Sequence, residues 1–299
     1  MNCGITGHTG ALGQEFIKNN KNNKDITFIK FHGDLTQKNE VESWVKKNTF
    51  NVFLHFAAVV PAKFVNENYS YTKKVNIDGS KNLINSLYKY NKEKLEWFFF
   101  SSTSHVYNFK KKKIKEKEQV LPISKYGKTK LLAEKILLKK KMNICVGRIF
   151  SFTHKSHNDQ YLIPSLYKKI NNSKKKKVEL NNLNHNRDFL DLSDICSAIK
   201  ILMKKRKVGI YNICSSKKTN LKNIAKYMAK KKKILCEFND KKFRATNHIG
   251  DNKKLSRLGW KPKKNFAKYI YFYFKGTLAQ KKSVALTLRR WLERYQQVP

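Results

Sequence analysis

Tyr126 and Lys130 stand four residues apart within residues 124–135, Ser-Lys-Tyr-Gly-Lys-Thr-Lys-Leu-Leu-Ala-Glu-Lys. On a helix that spacing puts both side chains on one face, so an ammonium can approach a phenol. A free phenol titrates near ~10 and is a poor base at neutral pH. A neighbouring Lys⁺ favours the phenolate and draws that value toward the working range. The pair therefore reads as a general acid/base with its tuning cation. Taken alone, the spacing also fits an exposed helix pair, since the chain is rich in Lys and Tyr.

Two further segments supply what such a pair would act on. Met1 to Thr6 reads as a short strand that runs into Gly7-His-Thr-Gly10-Ala-Leu-Gly13 and then an amphipathic helix through Phe16 and Ile17. Strand, glycine turn and helix in that order form a cradle for a pyrophosphate. Gly7 permits the turn, Gly10 lets backbone approach the phosphates, and Gly13 lets helix and strand pack closely. Residues 97–107, Trp-Phe-Phe-Phe-Ser-Ser-Thr-Ser-His-Val-Tyr, read as a buried strand that ends in hydroxyls. In open α/β sheets ligands bind at that end, where Thr103 could donate to an oxygen that exchanges a proton with Tyr126.

In this order the three segments resemble the extended short-chain dehydrogenase/reductase family, over residues 1–275. Gly33-Asp34-Leu35 resembles its adenine-contacting segment. Leu54-His55-Phe56-Ala57-Ala58 resembles the strand end along the cofactor, and Asn76-x-x-Gly79-x-x-Asn82 the helix start beside it. Arg187-Asp-Phe-Leu-Asp191 resembles the segment whose Arg holds a nucleotide-sugar phosphate. Gly209-Ile-Tyr-Asn-Ile-Cys-Ser215 and Leu258-Gly-Trp-Lys-Pro262 match later landmarks. The resemblance implies a Rossmann-type, doubly wound parallel sheet with a smaller C-terminal α/β substrate-binding lobe. It implies NAD or NADP as cofactor, a nucleotide sugar as substrate, and a homodimer. Thr103, Tyr126 and Lys130 become the catalytic residues. Gly7, Gly10, Gly13, Asp34, Leu35, Ala57, Ala58, Asn76, Tyr126 and Lys130 line the cofactor, and Ser104, His105, Ser151 and Arg187 face the substrate.

The reaction is partly discriminated. Sugar 4,6-dehydratases of the family carry Asp-Glu after the catalytic Thr, and decarboxylases carry Glu where His105 stands. Ser104-His105 argues against both. The favoured reading is reduction of a 4-keto nucleotide sugar, as in the GDP-4-keto-6-deoxy-mannose reductases; reversible 4-epimerisation is the alternative, and a non-enzymatic dinucleotide-binding scaffold, which such proteins become on losing the Tyr or Lys kept here, is the third. The family's Asn three residues after the strand-five Arg is Ser151 here, and its Gly after Val-Tyr is Asn108. No acid ends the second strand, where residues 26–31 run straight into His32-Gly33-Asp34. Lys30 or His32 there leaves NADP open beside NAD.

The formal net charge is +44, from 65 basic and 21 acidic residues. Only eight of the basic residues are Arg, the residue that reads bases bidentately, and Lys is spread over the whole chain. The charge reads as a solvated Lys coat that steers anions, with no specific nucleic-acid partner. Five scattered cysteines without a paired spacing predict free, mostly buried thiols in a cytoplasmic protein, with no metal site. A glycine loop so near residue 1 leaves no room for a signal peptide, and no apolar run approaches the ~20 residues of a membrane span.

Alternating strand and helix patterns predict strands at 26–31, 51–56, 96–101 and 143–149, with helices at 41–47, 82–90 and 126–138. Residues 1–150 form the dinucleotide domain, to which 189–213 return. Residues 151–275 are mainly the substrate lobe, with a helix starting at Ile163-Pro-Ser, helices at 194–203 and 221–228, and a strand at 210–213. The basic run 110–117 is expected as a mobile loop over the site. Residues 276–299 are an extra segment of unknown role, with Leu286, Trp291, Leu292 and Tyr295 able to form an apolar face.

Overall fold

A computed structural model describes residues 1–173, 176–240 and 244–263. The first half alternates strand and helix: β1 (Asn2–Thr6), α1 (Ala11–Asn19), β2 (Thr27–Lys30), α2 (Lys38–Lys46), β3 (Val52–His55), α3 (Ala62–Glu67), α4 (Tyr69–Lys73), a π-helical stretch (Lys74–Gly79), α5 (Ser80–Tyr90), β4 (Trp97–Thr103), a 3-10 turn (Ser104–Val106), α6 (Lys125–Leu138) and β5 (Ile144–Ile149). The second half adds β6 (Ser151–Phe152), α7 (Leu162–Asn171), β7 (Lys177–Asn181), β8 (His185–Arg187), β9 (Phe189–Leu190), α8 (Leu192–Lys204), β10 (Gly209–Ile213), β11 (Thr219–Asn220), α9 (Leu221–Lys231), β12 (Leu235–Asn239), β13 (Thr246–His248) and α10 (Lys253–Ser256).

The main sheet has six strands in the order β10-β5-β4-β3-β1-β2, all parallel. β3, β4 and β5 are buried throughout, as strands covered on both faces must be. Alternation then divides their side chains. Val52, Leu54, Trp97, Phe99 and Cys145 pack with Phe16 of α1 and Ile195 and Ile199 of α8. Phe53, Phe98, Phe100, Ile144 and Val146 pack with Val41 of α2, Leu83 and Leu87 of α5, and Ala133 and Leu137 of α6. The chain runs β1 to β2 on one side and returns to place β3 on the other side of β1. The crevice for a ligand therefore opens between β1 and β3, at their C-terminal ends.

Local chemistry sets the helix starts. Ser124 caps α6 by accepting from the Gly127 amide, Asp191 caps α8 through Ser193, and Asn220 caps α9 through Lys222. Gly127 lets α6 approach the turn after β4, since a Cβ there would lie 2.3 Å from the His105 carbonyl oxygen.

The smaller lobe has its own core of Ile163, Leu166 and Ile170 from α7, Ile224 and Met228 from α9, and Val178 and Leu180 from β7. β7 pairs with β12 in parallel, while β8 is flanked by β11 and β13. The run 110–117 departs from the expected mobile loop. Ile114 is fully buried, bridged to Gly250, and its carbonyl accepts from Asn212 and from the Asp251 amide. Glu116 accepts from the Asn212 amide and from Arg148. Residues 276–299, read as an extra segment, lie outside the described residues.

Candidate active site

The glycine loop opens at the crevice. Gly7 has φ +70°, and a Cβ there would lie 2.4 Å from the Ala57 amide nitrogen; one at Gly13 would lie 2.3 Å from the Gly7 carbonyl oxygen. Those two glycines serve the turn itself. Gly10 differs, because its Cβ would meet no protein atom nearer than 3.4 Å. An exposed bare backbone at the N-terminus of α1, which has no side-chain cap, is the cradle a diphosphate needs. The residues present thus fit a dinucleotide.

The flanking loop after β3 is held by Asn76. Its Oδ1 accepts from the Val59 amide (2.8 Å), and its Nδ2 donates to the Val59 carbonyl (3.0 Å) and to Thr129 Oγ1 (3.1 Å). Asn76 therefore ties the loop carrying Ala57 and Ala58 to the helix of Tyr126 and Lys130. Below it, fully buried His55 bridges Thr6 Oγ1 (2.6 Å) and Ser80 Oγ (2.9 Å), and burial first, then Lys130, lowers its pKa to about 3. Asp34 Oδ1 accepts from the Thr36 amide, and Leu35 packs its side chain in the core while its carbonyl accepts from Asn82.

Thr103 closes β4, and its Oγ1 accepts from the His105 amide at 3.2 Å. His105 Nδ1 pairs with Ser124 Oγ at 3.1 Å, and its ring meets the Tyr126 ring edge-on, centroids 6.0 Å apart. Lys130 is buried, its ammonium 4.0 Å over the Phe100 ring of β4. Ser104 is buried in the turn. Arg187 donates to the Asn186 carbonyl and Thr246 Oγ1, lies over the Phe109 ring, and helps lower His105, whose pKa falls to about 4 mainly through burial. Ser151 pairs with Phe189 of β9, two residues from Arg187. Thr103 and Tyr126 thus both touch His105 in the turn after β4, Lys130 lies against Phe100 of β4, and the Arg187 charge acts on His105.

The electrostatics correct one expectation. Burial pushes the Tyr126 phenol up from its usual value, and the nearby Tyr161 phenol adds to the rise. Burial lowers Lys130 to about 7, with Glu134 partly opposing. The anticipated lowering of Tyr126 by Lys130 is not found: burial governs both groups, and both charged forms are costly there.

Sequence reasoning missed the foundation of the site. One turn beyond Lys130, Glu134 receives Arg148 Nη2 (2.7 Å) and Nε (3.1 Å), and also the Ser102 hydroxyl. Arg148 Nη1 donates to the Tyr107 hydroxyl (2.8 Å), which donates to Asn212 Oδ1 (2.9 Å). Asp188 accepts from Ser215, Ser216 and Gly250, and burial raises its pKa to about 6. A signal existed for the first network: Glu134 follows Tyr126 and Lys130 at helical spacing, and Arg148 interrupts an apolar strand. Among the described residues no group of His, Cys, Asp or Glu is arranged to hold a metal, and all five cysteines are free.

Residues 6–271 match the family described as GDP-mannose 4,6 dehydratase. The chain is 28% identical over 220 residues to GDP-6-deoxy-D-talose 4-dehydrogenase of Aggregatibacter actinomycetemcomitans, a match that covers 71% of this chain and 73% of that protein. Its fold is similar to RMD from Pseudomonas aeruginosa complexed with NADPH, with TM-score 0.82, 18% identity and coverage of 93% and 99% of the two chains. It is also similar to dTDP-glucose 4,6-dehydratase from Streptomyces venezuelae with NAD bound, with TM-score 0.78, 15% identity and coverage of 92% and 98%. With glycine loop, hydroxyl-tipped strand and Tyr-Lys helix at one sheet edge, the chain belongs to the GDP-mannose 4,6 dehydratase family of the extended short-chain dehydrogenase/reductases.

Proposed function

We propose that this protein is an NAD(P)-dependent oxidoreductase that reduces the 4-keto group of a nucleotide sugar, with Tyr126 as the acid. The observation that carries this reading is the make-up of the turn beside Tyr126. Thr103 is followed by Ser104 and a neutral His105 held by Ser124, with no carboxylate pair to move protons on and off sugar carbons. The bound nicotinamide supplies the hydride, which no side chain can. Thr103 Oγ1 orients the carbonyl oxygen, and Tyr126 gives its hydroxyl proton to that oxygen. Lys130 holds positive charge beside the exchange. Arg187 binds the sugar's phosphate, and Ser104, His105 and Ser151 border the hexose. Gly7, Gly10, Gly13, Asp34, Leu35, Ala57 and Ala58 form the dinucleotide cleft, with residues 151–275 acting mainly on the sugar. The reading extends to a cytoplasmic homodimer; the free thiols support a reducing compartment.

The test is incubation of purified protein with GDP-4-keto-6-deoxy-mannose and NAD(P)H. Stoichiometric loss of absorbance at the reduced-nicotinamide band is expected. Purified protein that retains NAD and interconverts C4 epimers without net cofactor consumption would replace reduction with 4-epimerisation.

A further inference from the structure

His248 takes no part in the exchange at Tyr126, yet it touches the turn beside that residue. It closes β13 and pairs in register with Arg187 of β8. The residue is 2% exposed. Its ring centroid lies 6.1 Å from that of His105 and 5.5 Å from those of Phe109 and Phe150, which wall it in. Burial, then His105 and Arg187, lowers its pKa to about 3, so the ring is neutral and a single nitrogen carries the proton. Nε2 is sealed from solvent and meets no hydrogen-bond partner among the described residues. The ring is hydrogen-bonded to the Ser104 backbone, and that bond favours the protonated ring, so the backbone group is the carbonyl. By exclusion, Nδ1 is the atom that donates to it.

A buried ring nitrogen left unpaired is a cost that a phenylalanine, packed against Phe109 and Phe150, would avoid. What the imidazole adds, and a phenyl ring could not, is the bond to Ser104. That bond bears on the site because Ser104 and His105 form the turn after β4. Thr103 Oγ1 accepts from the His105 amide, His105 Nδ1 pairs with Ser124 Oγ, and the His105 ring meets the Tyr126 ring. His248 thus joins the small sheet that carries Arg187 to the turn beside Tyr126. We infer that His248 is a positioning residue: through the Ser104 carbonyl and the His105 ring it fixes the turn that presents Thr103 and His105 to the substrate. The inference rests on the reading of that turn as the reacting end of the site and goes beyond it by assigning the residue that sets its place.

The test has two readouts, and the first needs no turnover. Long-range proton–nitrogen NMR spectra of the full chain, labelled at its eight histidines, should place a proton on Nδ1 of the ring whose signals vanish in His248→Asn. A His248 ring protonated at Nε2 overturns the inference. The second readout is steady-state kinetics with a 4-keto nucleotide sugar and reduced dinucleotide. His248→Phe keeps a ring and loses the bond, so kcat should fall about tenfold while KM for the dinucleotide stays within about twofold. His248→Asn carries its amide nitrogen on Cγ, as Nδ1 is carried, and should recover kcat to within about threefold of wild type; His248→Gln, whose nitrogen lies one carbon further out, should not. A lower melting temperature with kcat unchanged would mean packing alone and overturns the inference, as does equal kcat in the Asn and Gln variants. If His248→Phe does not fold, the contrast between Asn and Gln decides. A wild type that shows the Nδ1 proton but turns over no 4-keto sugar overturns the reductase reading and supports the placement of His248, and the variants are then compared on C4 epimerisation.

Discussion

Replacing Glu134 with Ala should test whether the catalytic helix stands on the buried ion pair beneath it. The Glu134 and Arg148 side chains are 2% and 4% exposed. The substitution removes the acceptor for Arg148 Nη2 and Nε and for the Ser102 hydroxyl, leaving a guanidinium sealed from water without its counter-ion. Breaking a buried pair from one side costs about 3–5 kcal/mol. That is a large part of the ~5–15 kcal/mol by which domains are stable. At roughly 2–4 °C per kcal/mol for a chain of this size, the melting temperature should fall by about 10 °C. Glu134→Gln keeps acceptors but loses the charge, so its fall should be smaller. The same carboxylate opposes the burial that lowers Lys130, so both variants should move Lys130 further below about 7. Thermal melts followed by circular dichroism read the first effect, and the pH profile of kcat/KM reads the second. Added salt should not restore stability, because buried pairs are weakly screened. A melting temperature within ~2 °C of wild type, where the buried-pair cost demands far more, would refute the reasoning.

Tyr126→Phe should cut turnover by about 10²–10⁴, the usual share of a general acid, while dinucleotide affinity measured by fluorescence titration stays within about twofold. Gly10→Val should weaken dinucleotide binding by at least about tenfold with little change in melting temperature, because the added Cβ meets no protein atom nearer than the Gly7 carbonyl oxygen at 3.4 Å; unaltered affinity would remove the loop from the cofactor site. Asn76→Ala strips three hydrogen bonds from the loop after β3, so it should cost about 1–3 kcal/mol in denaturant melts and raise KM for the dinucleotide. In the reducing direction kcat/KM should hold level below about pH 7 and decline above it as Lys130 loses its proton, and a profile flat to pH 9 would separate Lys130 from the chemistry.

The centre of the main sheet was legible in the sequence because β3, β4 and β5 are built on apolar runs, and a covered parallel strand needs nothing more. The strand read as ending at residue 101 continues through Thr103. Polar character suggested a turn, but Ser101 donates to the His55 carbonyl and Ser102 to Glu134, so hydroxyls stay buried within the strand. The run 110–117 misled for the opposite reason. Six Lys-rich positions hide one anchor, Ile114, whose partners Asn212, Ile249 and Asp251 lie about a hundred residues or more away. The two- and three-residue strands of the smaller lobe exist through such long-range partners and have no period of their own. The glycine loop and the Tyr-Lys pair were legible because each is local: one turn of backbone, or one turn of helix.

The charge state of that pair is not local. Tyr126 and Lys130 share a helix face, yet the sheet, the turn after β4 and Tyr161 decide their protons. A phenol held neutral can give a proton at neutral pH but can take one only after ionising against burial. A phenol that gives its proton becomes a phenolate, and a phenolate that takes one becomes the phenol. Burial therefore sets the same ionisation cost for Tyr126 in either direction. Lys130, lowered to about 7, adds a second dependence: any positive charge it lends a phenolate on the same helix face is withdrawn as it loses its proton, so deprotonating the cation opposes deprotonating the phenol.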